Sequence, residues 1–583
     1  MSGDMPNQND TKAPVSAPSD ATGPAGADLA TLGGRGRLPA ELRHASGIRK
    51  IDHILSLPDV ADFVETLATE ELYLLIKDIG RNDAYPLLEY ATREQMRGLV
   101  DIDAWNKHDL QLDRWLGWFE LAEAVSFERV QEFLSAADDE LLEWLFIKDV
   151  TVHGSDLDKD FVPDDQALFQ TPDFMYWVTV ERGHILEDRL PHLMKMLWAT
   201  DVDRIRLILQ QARFDVPASV EAYMDHFRNG RLADMGFSSP TEALAVFSTI
   251  SLKSLRTQVR EHLEEYALMR PPATGSVAFD LALVDVTPPP FLGAALALLD
   301  ETARNNVALA MTMLVNKVFM AQTRDLSRTD DLPVAARHAA GLVSMGLAYL
   351  ADESPEVGAE ILQRIGCQQV FQAGHTLTIE QRLRAVRLRA RSGAALGYTL
   401  FGSPTDDTIA AAARPQPLLF EGLVSPGSVT VRPFSTLAEL ARVEVALDDA
   451  EATIGFFEQS LGYTPEVLEQ LRDSGLNADA VRRVHFATLF RTGLAQTLLT
   501  DTFSFAPLDR EDLVAFSRAA FAKDGTRTPT FDAALKTLTE ALPEAVGRFV
   551  RHAIEQLTDA IGGVRPEAIE TRYASDLFLT AAE

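Results

Sequence analysis

Cysteine is almost absent from this chain, because Cys367 is the only one in 583 residues. A single cysteine cannot close a disulfide within the chain, and it cannot build an all-cysteine zinc or iron–sulfur site. So little cysteine is typical of proteins in a reducing compartment. The composition therefore predicts a cytoplasmic location.

Long apolar runs and a signal sequence are also lacking. The most apolar stretch, 277–299, contains Asp280, Asp285 and a triple proline that starts at Pro288, which a membrane-spanning helix would not carry. Residues 1–44 are rich in Ser, Pro, Gly and Ala, without the basic start or apolar core of a signal peptide. We predict a disordered tail over 1–44 and no membrane insertion.

Positive charge is scarce. The chain has 54 Lys and Arg against 86 Asp and Glu, a formal net charge of −32. Such a field repels phosphate backbones and anionic lipid surfaces, and it attracts basic surfaces. We expect no nucleic-acid partner, and we expect a protein partner with a basic surface.

Standard catalytic motifs are missing as well. The sequence has no P-loop, no Gly-x-Gly-x-x-Gly after a strand and no Gly-x-Ser-x-Gly elbow. This argues against nucleotide-dependent and α/β-hydrolase chemistry. No motif indicates a cofactor.

The chain does contain many of the residue patterns that start helices. Thr92, Ser239, Thr378 and Thr436 each stand three residues before a Glu or Gln, the spacing of a capping box. Between Ser56 and Leu145, short acid-led segments repeat with large apolar residues at helical spacing. Each is too short to bury its own apolar face, so neighbours must stack. We predict a mainly α fold, arranged as a multi-helical array or superhelix, with an unrepeated bundle as the alternative.

One segment breaks the helical pattern. Phe174–Val180 is rich in β-branched and aromatic residues, and Asp149–His153 is a suitable partner strand. We therefore predict a small β-hairpin insertion near 149–181.

Clusters of Pro and Gly mark the predicted domain boundaries. The tail over 1–44 precedes an N-terminal helical array over 45–270, which contains the β insertion. The remaining segments are a Pro-rich linker over 271–290, a middle helical domain over 291–401, a Pro/Gly-rich connection over 402–434 and a C-terminal helical domain over 435–583.

Two resemblances to known families follow from these segments. Val220–Tyr223, Arg228–Phe237 and Glu242–Ala243 resemble a large, uncharacterised bacterial family of unknown function, and the likeness runs from about Ile48 to the C-terminus. That family supplies no activity to transfer. The short helices of 56–145 resemble the cytoplasmic helical domain of MgtE-type magnesium transporters. This second resemblance implies a helical superhelix and a regulatory role, but not transport, because the transporter's membrane helices have no counterpart here.

The family-like segment also holds a candidate binding site. Arg228 and Arg231, with Asp234, can form a loop that grips a carboxylate or phosphate bidentately. The alternative is structural, with both arginines bonded to helix carbonyls and Gly230 as a left-handed cap.

A second candidate binding site is the densest basic run, Arg382–Arg391. On a helix Arg384, Arg387 and Arg391 align, and together they can bind a phosphate-bearing ligand or an acidic partner helix. Ion pairing within this acidic chain is the alternative.

A candidate metal site comprises Glu181, His184 and Asp188, which would share one face of a continuous helix. Polar residues on a helix surface are the alternative, since no standard zinc spacing is present. Nearby, Asp156, Asp158 and Asp160 match the opening ligands of a calcium loop. The match then fails at Phe161 and Ala167, where a Gly and a Glu are needed, so we predict a solvated acidic loop over Asp156–Asp165.

These features together predict a cytoplasmic protein-binding scaffold or regulatory adaptor. One alternative is a metal-dependent enzyme that uses Glu181, His184 and Asp188. Another is a regulatory protein that responds to a divalent cation through its acidic N-terminal helices.

Overall fold

The computed structural model describes residues 45–106, 108–156, 165–264, 286–323, 325–473, 476, 484–540 and 542–581. The predicted tail over 1–44 lies outside the described residues. So do 271–285 of the predicted linker and Asp158, Asp160 and Asp164 of the acidic loop.

Chain contacts divide the molecule into two compact units, with the boundary between Met235 and Gly236. The described helices of the first unit are α1 Gly47–Leu55, α2 Val60–Thr66, α3 Thr69–Ile79, α4 Arg81–Leu88, α5 Arg93–Asp103, α6 Leu112–Val125, α7 Phe127–Ala136, α8 Asp139–Lys148, α9 Leu190–Thr200, α10 Val202–Phe214 and α11 Pro217–Asp234. Its strands are β1 Trp105–Asn106, β2 Asp109–Leu110, β3 Thr151–Gly154, β4 Gln166–Gln170 and β5 Tyr176–Glu181.

The second unit is also built mainly of helices. They are α12 Pro240–Ala245, α13 Leu252–Glu264, α14 Pro290–Ala297, α15 Glu301–Thr323, α16 Leu332–Leu350, α17 Pro355–Arg364, α18 Cys367–Arg391, α19 Thr405–Ala412, α20 Leu437–Ser460, α21 Pro465–Asp473, α22 Phe486–Thr500, α23 Arg510–Ala520, α24 Pro529–Leu538, α25 Glu544–Ile561 and α26 Thr571–Ala574. Its two short strands, β6 Leu419–Phe420 and β7 Val431–Arg432, pair with each other. The prediction of a mainly α, multi-helical protein is confirmed.

The unit boundary differs from the predicted domain boundaries. The predicted first domain, 45–270, runs past Met235, where the first unit ends. The predicted middle and C-terminal domains belong to one unit, because α18 and α20 pack side by side across the 402–434 connection. In that connection the Pro and Gly residues lie in turns and irregular segments around α19, β6 and β7.

The β insertion forms as a three-stranded antiparallel sheet in the order β3–β5–β4. The predicted pairing of its first and last strands is confirmed, with Val152 opposite Val178. The third strand, β4, pairs with the other edge of β5 and was not predicted.

Side-chain caps start several helices where the sequence predicts them. Thr92, Ser239 and Thr436 each form a complete capping box. The box predicted at Thr378 is wrong, because that residue lies inside α18 and its hydroxyl donates to the carbonyl oxygen of His375, 2.7 Å away. Burial of the surrounding α18 residues keeps the helix continuous through this sequence.

Candidate functional site

Arg228 and Arg231 lie on α11 and not in a loop. The helix continues through Gly230 and ends at Asp234, and the left-handed glycine that follows it is Gly236, with φ of 89°. The predicted loop and the predicted cap at Gly230 are therefore both wrong. Asp234 is exposed.

Both arginines are occupied by the chain's own groups. The Arg231 guanidinium binds the carboxylate of buried Asp101 bidentately, at 2.6 and 2.9 Å, and it also reaches Asp138 at 2.6 Å. Arg228 is buried, donates to the carbonyl oxygen of Asp101 at 2.8 Å and stacks over Trp105. The predicted bidentate grip exists, but its carboxylate is internal and fastens α11 to α5.

The helix that would align Glu181, His184 and Asp188 does not form. Glu181 ends β5, whereas His184 and Asp188 lie in the turns that follow. His184 accepts the N–H of Leu186 through Nδ1, and its Nε2 lies 3.5 Å from Asp149. In the part of the chain that the structure describes, no three His, Cys, Asp or Glu side chains are arranged to hold a metal ion.

The basic run lies at the C-terminal end of α18, and two of its arginines are paired with α20. Arg384 binds Glu451 at 3.0 and 3.1 Å and also binds Asp448. Arg391 binds Glu458 at 2.6 and 2.9 Å. The hydrogen bonds that Arg384 donates to Glu451 raise the pKa of Arg384 above its ordinary value. Ion pairing, the alternative stated for this run, therefore holds for Arg384 and Arg391.

Arg387 remains outside this pairing. It is exposed, and neither its guanidinium nor that of exposed Arg389 has a hydrogen-bond or ion-pair partner among the described residues. Beside them are two exposed apolar side chains, Leu383 at 51% and Val386 at 43% exposure. We define the α18 face as Leu383, Val386, Arg387, Arg389 and Ala390.

A separate cleft opens between α20 and α25 in the second unit, with a volume of about 630 Å³. Most of its lining is apolar, and three phenylalanines, Phe401, Phe486 and Phe549, form part of it. We call this the α20–α25 cleft. The residues that line it are Phe401, Thr405, Leu423, Ala441, Arg442, Val445, Ala446, Asp449, Ala450, Thr453, Phe486, Ala545, Arg548 and Phe549.

The charged groups of the cleft are not equivalent. Arg548 is held by Asp449 at 2.9 and 3.1 Å and by Glu544 at 3.2 Å. Arg442 is exposed and has no such partner in the described part of the chain. One uncompensated cation therefore stands at an apolar cleft, an arrangement suited to binding and orienting a ligand.

A partly buried carboxyl group lies close to the cleft. Asp406 accepts the N–H groups of Phe401 and Gly402 at 2.9 and 2.8 Å. Burial raises the pKa of Asp406 to about 6, against these hydrogen bonds. The group changes charge near neutral pH beside a cleft, which is where functional groups with shifted pKa values concentrate.

Sequence reasoning missed this cleft because its lining is spread from Phe401 to Phe549. No local motif connects these positions. The alanines that line it from α20, at 441, 446 and 450, give no such signal, because alanine is a strong helix former and is common on every face of a helix.

Among the described helices, none alone is long and apolar enough to cross a membrane. Two consecutive helical segments are long and apolar enough only when they are taken together. They are Thr329–Leu350 and Pro355–Arg364, and the chain bends by 111° between them.

No curated protein and no solved structure matches the chain, so the resemblance of the first helices to MgtE-type transporters stays a prediction. The family resemblance of the segment around Arg228 is confirmed, since a family model matches residues 31–580. The chain belongs to that family, a family of unknown function designated DUF6178.

Proposed function

We propose that this chain is a cytoplasmic protein-binding regulatory adaptor and that the α18 face is one of its docking surfaces. The observation that carries the proposal is the exposure of Leu383 and Val386 beside arginines that no acid neutralises in the described chain. Burying these two side chains against a partner would remove apolar area from water. The low cysteine content supports the cytoplasmic location.

The spacing of the α18 face fits a helical partner. Counted from Leu383, the other members lie three, four and seven residues further along the helix, at Val386, Arg387 and Ala390. Residues at this spacing form one stripe along a helix. An amphipathic helix can lay an apolar stripe of its own along such a surface. Uncompensated Arg387 and Arg389 favour a partner helix with acids beside its apolar stripe.

A helix dipole explains only part of this arrangement. Arg389 and Arg391 lie in the last turn of α18, where a cation stabilises the free carbonyl groups. Arg391 retains this role while bound to Glu458. The helix dipole does not explain why the apolar side chains of Leu383 and Val386 are exposed. Docking of a partner explains it, because the partner would cover them.

The charge of the whole chain acts at longer range. A net charge of −32 steers basic surfaces toward the molecule, as predicted from composition. The α18 face is a basic exception on an acidic surface. We therefore propose a partner that has a basic surface overall and one acidic amphipathic helix that binds this face.

Capture from the native source tests the proposal. Tagged full-length protein is compared with a variant carrying Val386→Asp and Arg387→Glu, and retained proteins are quantified by mass spectrometry. Wild type is expected to retain a stoichiometric partner at physiological salt, and the variant to lose it. Arg551→Glu, which reverses an exposed arginine on α25, is the matched control and should keep the partner.

Two outcomes would contradict this function. One is that wild type retains no specific partner at physiological salt. The other is that the double variant retains the same partner as wild type. Elemental analysis of the same samples addresses the metal-dependent alternative, because stoichiometric bound metal without a protein partner would favour an enzyme.

A further inference from the structure

The α20–α25 cleft has the dimensions of a small-molecule site. Its volume of about 630 Å³ lies within the roughly 300–1,000 Å³ that ligand pockets occupy. It lies in the second unit and shares no residue with the α18 face. Binding of a small molecule in this cleft therefore does not require docking of a protein at the α18 face.

Small side chains keep this space open. Ala441, Ala446 and Ala450 line the cleft from α20, and Ala545 lines it from α25. The cleft is open to solvent, and Val445 in its lining is exposed. An apolar ligand between the two helices would remove the accessible apolar surface of Val445 and half-buried Phe549 from water.

Arg442 supplies the polar end of the site. Its nearest acid on the same helix face is Glu439, but that carboxylate already binds Arg432 at 2.5 Å and the N–H of Ser435 at 2.8 Å. Asp449 is likewise engaged by Arg548. The Arg442 guanidinium thus keeps its fork of donors for an external anion.

We infer that the α20–α25 cleft binds an amphipathic carboxylic acid, with the apolar body in the cleft and the carboxylate on Arg442. Arg548 is bound by both Asp449 and Glu544, so Arg442 is the cation of the cleft lining that is left for the ligand's carboxylate. The neighbouring acids Asp449, Glu544 and Asp406 disfavour a second negative charge on the ligand, which favours a monoanion.

Calorimetric titration with decanoate tests this site on the full-length protein. Decan-1-ol, which has the same apolar chain and no charge, is the comparison ligand. Wild type is expected to bind decanoate saturably at one site per chain. Arg442→Gln should weaken decanoate about tenfold, the scale of one charge-assisted contact, and leave decan-1-ol binding unchanged.

A second variant separates the cleft from the charge. Ala446→Phe should fill the space and abolish binding of both ligands, whereas Arg551→Gln on α25 should change neither. Unfolding curves establish that each variant is folded. Absence of saturable decanoate binding, or an equal loss of both ligands in Arg442→Gln, would overturn the inference.

The same variants distinguish this site from the docking proposal. The Val386→Asp, Arg387→Glu variant should bind decanoate as wild type does. Arg442→Gln should keep its protein partner in the capture experiment. Decanoate binding therefore tests the cleft alone, and retention of the protein partner tests the α18 face alone.

Discussion

His338 and His375 lie in the core of the second unit, packed around Phe247 and Phe371. Burial lowers the pKa of His338 to about 3 and that of His375 to about 4, from an ordinary value of 6.5. Both histidines are therefore neutral in the folded protein. Gln322 hydrogen-bonds His338 at 2.6 Å, and Nδ1 of His375 has no partner among the described residues.

These shifted histidines predict a loss of stability in acid. As the pH falls below 6.5, the unfolded chain takes up these protons first, so this stability is complete above pH 6.5 and is lost as the pH falls toward about 4 for His375 and about 3 for His338. The free energy of unfolding should fall by up to about 1.4 kcal/mol per pH unit for each histidine. His375→Phe should reduce this slope, as measured by amide hydrogen exchange of α16 and α18. An unchanged slope in that variant, or a reduced slope in the exposed control His552→Gln, would contradict the assignment.

Asp103 is a buried carboxylate of the first unit with several hydrogen-bond donors around it. It is 1% exposed, and it accepts Tyr73 Oη–H at 2.7 Å, Trp118 Nε1–H at 3.0 Å and a bond from Arg81. Removing it leaves a partly buried cation without its carboxylate. Asp103→Ala should therefore lower the free energy of unfolding by roughly 3–5 kcal/mol. Urea unfolding followed by tryptophan fluorescence measures the change, and Asp52→Ala, at an exposed site on α1, should be near neutral.

At the scale of elements, α16 and α18 approach so closely that only glycine fits at their contact. A Cβ on Gly374 would press on the carbonyl oxygen of Leu342, and one on Gly346 would press on that of Val370. Backbone cannot move aside as a side chain can. We expect Gly374→Ala to destabilise the second unit by about 1–3 kcal/mol, the usual effect of overpacking.

Gly455 provides the matched control for this contact. It lies inside α20, and a Cβ there would meet nothing within 4 Å. Gly455→Ala should stabilise the second unit by roughly 0.5–1 kcal/mol, because alanine loses less backbone freedom on folding. Calorimetric unfolding measures the stability of the two variants. If both substitutions change the free energy of unfolding equally, the close approach of α16 and α18 does not contribute to stability.

Elements were predictable where the signal is local. A capping box involves four consecutive residues, so the helix starts after Thr92, Ser239 and Thr436 could be predicted from sequence. Thr378 carries the same local signal, but packing of α18 against α16 overrides it.

Arg384 and Arg231 were identified as anion-binding residues. Their anions, Glu451 and Asp101, lie far away in sequence, and no local pattern indicates which acid an arginine will meet.

At the scale of the whole molecule, the candidate sites depend on long-range packing. The α18 face was partly predictable, because Arg387 belongs to a dense run of arginines in the sequence. What could not be predicted is that α20 neutralises Arg384 and Arg391, whereas the Arg387 guanidinium has no partner among the described residues. The α20–α25 cleft needs α19, α20, α22 and α25 in place before it exists.

The division into two compact units predicts how the whole chain unfolds. Each unit has its own buried core, around Trp115 in the first and Phe457 in the second, and a unit with its own core can unfold separately. All six tryptophans lie between Trp105 and Trp198, so fluorescence follows the first unit alone. Asp103→Ala should then shift the fluorescence transition, whereas Gly374→Ala should leave it unchanged and shift a second transition seen by calorimetry. If either variant shifts both transitions equally, the chain unfolds as one cooperative body, and ligand binding in the cleft would then be expected to protect the tryptophans as well.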